Sequence, residues 1–201
     1  MNRRAMIKRY SIVAAALVLA ACQGQAPAPA TTEEPPLAGA PIGGPFTLID
    51  KDGKTVTWDQ FRGRYAMVYF GFTFCPDACP TDVAVMTNGL KTFAARDAAA
   101  AAKVQPLFIS IDPARDTPAK VGEFAANFPG LMGLTGSAAQ VDAAAKAFKV
   151  FYGRGKDVPG GYLMDHSRIV YLMAPDGKPI AMLPADKGPA AVADELAKWV
   201  K

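Results

Sequence analysis

YAMVYFGFTFCPDACP, residues 65–80, joins an almost continuous apolar run to two cysteines four positions apart. Residues 65–72 have the length of a strand, and an apolar run without alternation is typical of a strand buried on both faces. A helical pattern, rich in alanine in its second half, follows from about Thr81 to Lys103. Cys75 and Cys79 are therefore expected in the loop that leads from a buried strand into a helix.

Strands and helices alternate along the rest of the chain. FTLID and TVTW predict a β-hairpin turning at Asp52-Gly53, and Thr117 and Ser137 are expected to cap helices. The other predicted elements are a strand at 104–111, helices at 118–128 and 137–148, a strand at 168–173, a turn at 175–177, a strand at 179–183 and a helix at 189–200. This order predicts an α/β thioredoxin-like fold, with a central mixed β-sheet flanked by helices and an N-terminal β-hairpin.

Residues 1–21 have the features of a secretory signal. Residues 1–10 carry four basic side chains and no acid, and residues 11–21 (SIVAAALVLAA) are apolar apart from one serine. This run is shorter than the roughly 20 apolar residues of a transmembrane helix. It ends in Leu19-Ala20-Ala21-Cys22, which resembles a bacterial lipoprotein signal; the alternative is ordinary cleavage after Ala21, leaving a free thiol.

The lipoprotein interpretation predicts three segments. Residues 1–21 are a lipoprotein signal peptide, residues 22–44 a flexible Pro/Ala-rich tether, and residues 45–201 the folded domain. Lipidation of Cys22 would anchor the chain to a membrane of the bacterial cell envelope, with the domain in the periplasm.

Removal of the signal also removes the excess of positive charge. The chain has 22 basic and 18 acidic side chains, and four of the basic ones lie in the signal. The remaining chain is formally neutral, so nothing in its charge indicates nucleic-acid binding. We expect a monomeric domain.

Cys75 and Cys79 admit three interpretations. At positions i and i+4 they share one face of a helix, where they could form a structural disulfide, a redox dithiol or part of a metal site. A disulfide closing so small a loop stabilises little, and the redox motif of thioredoxin has two intervening residues where this chain has three. A helix N-terminus nearby favours thiolates in any of these roles.

His166 is the single histidine of the chain. It precedes a predicted strand and is expected in a loop near one end of the sheet. A lone histidine is usually structural, but thiolates with imidazole suit a soft metal such as Cu(I). A structural zinc site normally has four protein ligands, and Asp77 or Asp165 would have to complete it.

Three blocks of sequence resemble the SCO/SenC family of copper-binding assembly factors. They are residues 71–81 (GFTFCPDACPT), residues 111–118 (IDPARDTP), and residues 165–167 (DHS) followed by Tyr171-Leu172 and residues 175–177 (PDG). They occur in the family's order and span about residues 45–200.

The resemblance implies one copper ion per chain, as Cu(I) or Cu(II), bound by Cys75, Cys79 and His166. It also implies a role in assembling the binuclear copper (CuA) centre of cytochrome c oxidase, with subunit II or another copper acceptor as partner. Many family members have an N-terminal transmembrane helix where this chain has Cys22. Gln23 follows that cysteine, which leaves the choice of inner or outer membrane open.

Several acids are candidates for supporting these ligands. Asp77 could tune the thiolates, Asp165 could orient His166, and Asp112 ends a buried strand near the expected site. Arg115 and Asp116 are expected to pair with each other or to stabilise that loop.

The chain is expected to be a metallochaperone rather than an enzyme. The alternative is an envelope thiol–disulfide reductase that acts on the oxidase subunit's cysteines without carrying metal. A peroxidase of the peroxiredoxin type fits less well, because the residues before Cys75 depart from its usual motif.

Overall fold

The computed structural model describes residues 33–201, and Glu34–Lys201 form one compact unit. The predicted signal sequence, Cys22 and most of the predicted tether lie outside the described residues. The last part of the segment assigned to the tether lies against the domain. The Leu37 N–H donates to the Ile180 carbonyl (3.0 Å) and the Gly43 N–H to the Ala147 carbonyl (2.9 Å).

The chain forms nine strands and five α-helices, counted within residues 33–201. The strands are β1 (Thr47–Ile49), β2 (Thr55–Thr57), β3 (Tyr65–Gly71), β4 (Val104–Ser110), β5 (Met132–Leu134), β6 (Tyr152–Val158), β7 (Gly161–His166), β8 (Val170–Met173) and β9 (Pro179–Leu183). The helices are α1 (Ala78–Ala94), α2 (Ala98–Ala101), α3 (Pro118–Ala125), α4 (Ala138–Ala147) and α5 (Pro189–Trp199), with 3₁₀ turns at Trp58–Phe61 and Ala185–Lys187.

The central sheet has the order β5-β4-β3-β8-β9. β3 pairs in parallel with β4, and β4 with β5, whereas the β3–β8 and β8–β9 pairs are antiparallel. Six of the seven residues of β3 are buried, as the apolar run predicts for a strand covered on both faces. This is the thioredoxin-like α/β fold, with a mixed sheet, that the sequence predicted.

The local signals at several helix ends and turns are confirmed. The Thr117 side chain accepts from the Lys120 N–H, and Ser137 with Gln140 forms a capping box at the start of α4. The predicted N-terminal hairpin is β1–β2, with Gly53 at φ 75° in its turn.

Three expectations about the elements differ from the structure. The predicted helix from Thr81 to Lys103 begins at Ala78 and is interrupted, because the Asp97 side chain accepts from the Ala100 N–H and starts the separate helix α2. The short strand β5 and the hairpin β6–β7 were not predicted. His166 consequently ends strand β7 rather than lying in a loop.

Within residues 33–201, no helix is both long enough and apolar enough to cross a bilayer.

Candidate metal centre

The cysteine pair lies where β3 turns into α1. Cys75 is in the loop and Cys79 in the first turn of the helix, where its N–H donates to the Cys75 sulfur (3.2 Å). Both are free thiols, Cys75 partly exposed and Cys79 with 0% of its surface accessible. The i, i+4 spacing thus places both sulfurs together at a helix N-terminus.

The two sulfurs differ in acidity. The hydrogen bond from Cys79 lowers the pKa of Cys75 to about 5, and the backbone N–H groups of residues 77–79 contribute in the same direction against the effect of burial. The same hydrogen bond, together with burial, raises the pKa of Cys79. Before any metal binds, Cys75 is therefore the thiolate and Cys79 the thiol that donates to it.

His166 lies next to the cysteine pair and contacts Cys79. Its Nε2 lies 3.4 Å from the Cys79 sulfur, although the two residues are 87 positions apart. Its Nδ1 lies 3.0 Å from the Ser167 carbonyl oxygen. Because a carbonyl only accepts, this contact places a proton on Nδ1, and Nε2 is the ring nitrogen that faces the cysteines.

Aromatic rings hold the imidazole in place. The rings of Tyr69 and Phe72 each meet the imidazole nearly edge to face, with centroids 6.0 Å away. The Tyr69 hydroxyl donates to the buried carboxylate of Asp82 (2.9 Å). The histidine therefore occupies a slot formed by residues of β3 and the loop that follows it.

An ion pair joins the segment after His166 to the cysteine helix. Arg168 donates to both oxygens of Asp82, at 2.8 and 2.7 Å. Asp82 lies one turn after Cys79 on the buried face of α1, among apolar side chains. The sequence analysis missed this pair, although an acid on an apolar helix face is a signal that could have revealed Asp82.

The loop after β4 is organised by two further acids. Asp116 accepts from the N–H and hydroxyl of Thr73 and from the Ser110 hydroxyl, which anchors the chain two residues before Cys75. Burial raises the pKa of Asp116. Of the two alternatives expected for Arg115 and Asp116, stabilisation of this loop is found and pairing with each other is not. Arg115 pairs with Asp112 instead, because the hydroxyl and amide donors around Asp116 already occupy its carboxylate.

The three candidate supporting acids are placed differently. Asp77 and Asp165 are exposed and line the cavity at the site. Asp165 neighbours His166 on β7, and alternation along a strand directs their side chains to opposite faces. The Ser167 carbonyl, not Asp165, therefore orients the imidazole. Asp112 is buried, is not among the residues lining the cavity, and accepts from Tyr162 and Arg115.

The site opens to solvent through a cavity of about 520 Å³. Its lining includes Cys75, His166 and Met164, and Phe151, with 69% of its surface exposed, lies beside them. Within residues 33–201, no three His, Cys, Asp or Glu side chains are already clustered as closely as the ligands of one metal ion. Cys79 contacts both Cys75 and His166, beside an open cavity.

Comparisons with known proteins identify the family. The SCO1/SenC family model matches residues 34–201. The mitochondrial SCO1 homolog 1 of Arabidopsis thaliana is 42% identical over 148 residues, which cover 73% of this chain and 43% of that protein. This chain thus spans less than half the length of that curated relative.

Comparison with solved structures points to the same family. ScoI of Bradyrhizobium japonicum, with copper bound, is 35% identical, with a TM-score of 0.70 over 79% of this chain and 99% of that one. BsSco is 30% identical, with a TM-score of 0.57 over 77% of this chain and 90% of that one; it is described as having a disulfide switch and as a member of the Sco family of cytochrome c oxidase assembly proteins. With a matching fold, a family model covering nearly all the described residues, and relatives well above 30% identity, the chain belongs to the SCO1/SenC family.

Proposed function

We propose that this protein binds one copper ion through Cys75, Cys79 and His166 and delivers it during assembly of the CuA centre of cytochrome c oxidase. The observation that carries the proposal is the position of His166 Nε2, 3.4 Å from the Cys79 sulfur and beside an already acidic Cys75.

The donor set fits copper by its chemistry. Two sulfurs and one imidazole are soft to intermediate ligands, which select Cu(I) over hard cations. Cys75 needs no further deprotonation near neutral pH, so only the Cys79 proton must be displaced when both sulfurs bind the ion. The tautomer held by the Ser167 carbonyl presents the unprotonated nitrogen that a metal requires.

Binding must also move the ligands. Within residues 33–201 no three such side chains are already grouped as metal ligands, so the Cys75 sulfur and the imidazole have to close around the ion while Cys79 stays fixed in the core. Cys75 lies in a loop and His166 at the end of a solvent-facing hairpin, so these two have the freedom to move.

The open side of the site suits release. A three-ligand site facing a cavity leaves room for a sulfur or nitrogen of an acceptor to bind the ion before the donor's ligands leave. Copper would then pass through a shared-ligand intermediate without entering solution. Oxidase subunit II is the proposed acceptor, and BsSco, a relative in the same family, is described as an oxidase assembly protein.

The proposed location rests on the sequence alone. Lipidation of Cys22 would hold the chain at a bacterial membrane, with the domain monomeric in the periplasm. The part of residues 22–44 that precedes Leu37 would serve as the tether, because Leu37 and Gly43 are already hydrogen-bonded to the domain.

A Cu(I) titration against a competing chelator tests the site. The reduced protein is used from residue 23, because this removes the Cys22 thiol, and wild type is compared with His166→Ala and Asp165→Asn. We expect one copper per chain, weakened by at least about 100-fold in His166→Ala because a ligand is lost. Asp165→Asn is the matched control, since it alters the neighbouring charge on the opposite face of β7, and its affinity should change no more than about threefold.

The asymmetric thiol pair favours one other function. An acidic, partly exposed Cys75 beside a buried Cys79 is also the arrangement of a thiol–disulfide reductase. That function predicts weak copper binding in all three proteins and unchanged dithiol reactivity in His166→Ala, and this result would replace the copper proposal.

A further inference from the structure

The hairpin that carries His166 is weakly anchored by apolar packing. β6 and β7 form a separate two-stranded sheet, and none of their residues is fully buried. The register of the pair is also irregular between Arg154 and Asp157. Tyr152, Leu163 and Met164 pack against the core but stay partly exposed, so polar and aromatic contacts also hold this hairpin against the cysteine loop.

Tyr162 attaches the hairpin to the loop after β4. Its hydroxyl donates to Asp112 Oδ1 (3.0 Å), and the Arg115 guanidinium carbon lies 3.6 Å from the centre of its ring. Arg115 Nε donates to the other oxygen of the same carboxylate. Asp112 is only 2% exposed, so one buried acid fixes both the tyrosine and the arginine.

The same guanidinium also contacts the cysteine loop. Its carbon lies 4.7 Å from the centre of the Phe74 ring, and Phe74 directly precedes Cys75. It lies 5.9 Å from the centre of the Phe72 ring, and that ring meets the His166 imidazole nearly edge to face. Arg115 thus touches both halves of the site without lining its cavity.

The Arg115 guanidinium is held by few hydrogen bonds. Both Nη atoms are buried and, among the described residues, have no hydrogen-bond partner. Its attraction to its neighbours therefore comes from the aromatic faces and from the single Nε hydrogen bond. Gly161 allows this approach, because a Cβ there would lie 2.9 Å from Nη1.

We propose that Arg115 is a positioning residue that holds the histidine hairpin against the cysteine loop, and so sets the reach of His166 to the two sulfurs. The inference rests on the proposed copper site. It requires a planar cation, because only a flat guanidinium can lie against both the Tyr162 and the Phe74 ring while its Nε reaches Asp112. A lysine would keep the positive charge beside Asp112 but lose the stacking.

The test compares Arg115→Lys with Arg154→Lys as the matched control. Arg154 also lies over the Tyr162 ring, at 4.0 Å, but it pairs with Asp157 within the hairpin itself and does not join the two halves of the site. Cu(I) affinity is measured in both variants, each with and without His166→Ala. Amide hydrogen exchange of residues 152–166 is measured in the metal-free proteins.

We expect Arg115→Lys to weaken Cu(I) binding about tenfold, as two stacking contacts are lost, and Arg154→Lys to weaken it less than about twofold. In the His166→Ala background Arg115→Lys should have little further effect, because the arginine acts through the histidine. Exchange across the hairpin should be severalfold faster in Arg115→Lys alone. If that variant proves unstable, Tyr162→Leu removes the hairpin's side of the contact and should reproduce the same pattern.

Other outcomes overturn the proposal. A loss of affinity that is equally large in the His166→Ala background would show that Arg115 does not act through the histidine. Unchanged amide hydrogen exchange in the hairpin of Arg115→Lys would show that Arg115 does not hold the hairpin. Because the exchange measurement needs no metal, it tests the inference even if His166→Ala fails to weaken copper binding, a result that refutes the proposed function instead.

Discussion

Alkylation of the reduced, metal-free protein should distinguish its two cysteines by their pKa values. The hydrogen bond from Cys79 lowers the pKa of Cys75 to about 5 from an ordinary value of 9.0. Cys79 is fully buried and its pKa is raised. Iodoacetamide should therefore modify Cys75 in the folded protein and leave Cys79 unmodified.

The expected rate depends on pH in an unusual way. At pH 6, roughly nine tenths of Cys75 is thiolate, against roughly one part in a thousand for a thiol of pKa 9.0, which is an advantage of about 900-fold. The Cys75 thiolate is also less basic than that of the peptide, and this lowers its nucleophilicity about 40- to 100-fold. The factor follows from a Brønsted coefficient of about 0.4–0.5 and a pKa difference of about four. Cys75 should thus react about 10- to 20-fold faster than a free cysteine peptide at pH 6.

At alkaline pH, Cys75 should instead react more slowly than the free cysteine peptide. At pH 8 the thiolate advantage falls to roughly 11-fold, so the nucleophilicity penalty dominates and Cys75 should react roughly four- to ninefold more slowly than the peptide. This crossover between pH 6 and 8 is specific to a strongly acidic thiol.

Unfolding measurements would be harder to interpret. The lowered pKa of Cys75 favours folding above pH 9, and this contribution declines as the pH falls towards 5. The raised pKa of Cys79 favours folding below pH 9 and is lost above it. The two contributions oppose each other, so the kinetics of alkylation are the clearer assay.

The assay is a time course of iodoacetamide modification between pH 4 and 9, with the modified residue identified by mass spectrometry. The protein begins at residue 23, so that Cys75 and Cys79 are its only thiols. Cys79→Ala is the matched variant: it removes the donor that acts most strongly on Cys75, so the midpoint of the rate profile should move up towards 9. A wild-type rate that still rises tenfold per pH unit from 6 to 8, or equal modification of both cysteines, would refute the reasoning.

Two further predictions concern the scaffold, each measured by urea unfolding. Asp82→Asn should destabilise the protein by about 1–3 kcal/mol, because it weakens two charged hydrogen bonds from Arg168 at a buried site; the exposed acid Asp157, changed to asparagine, should cost less than about 0.5 kcal/mol. Gly89→Ala should cost about 1–3 kcal/mol, because its Cβ would lie 2.4 Å from Val192 Cγ1 across the α1–α5 contact. Equal stability of Gly89→Ala and wild type would mean that these two helices separate easily.

Much of the site could be predicted because part of it is local. Cys75 and Cys79 are four residues apart at a strand–helix junction, so helix geometry alone brings their sulfurs together. The caps at Thr117 and Ser137 were predictable for the same reason, since each side chain bonds a backbone group three residues away.

The hairpin β6–β7 was missed because its signal is weak. Its residues are half-buried or exposed on both strands, so the apolar alternation that marks a strand is absent. Pro159-Gly160 is a turn signal between the two strands and could have indicated a hairpin there.

The sequence by itself determined the fold class, the buried strands, the position of the cysteine pair and the residue types on which the proposed soft-metal site rests. The tertiary structure decided which residues support that site. The pairs Cys79–His166, Asp82–Arg168 and Tyr162–Asp112 are 87, 86 and 50 residues apart. The interaction that brings such residues together is the packing of the hairpin and helix against the sheet. Local sequence periodicity carries no information about that packing, so the network of contacts around His166 became visible only in the folded chain.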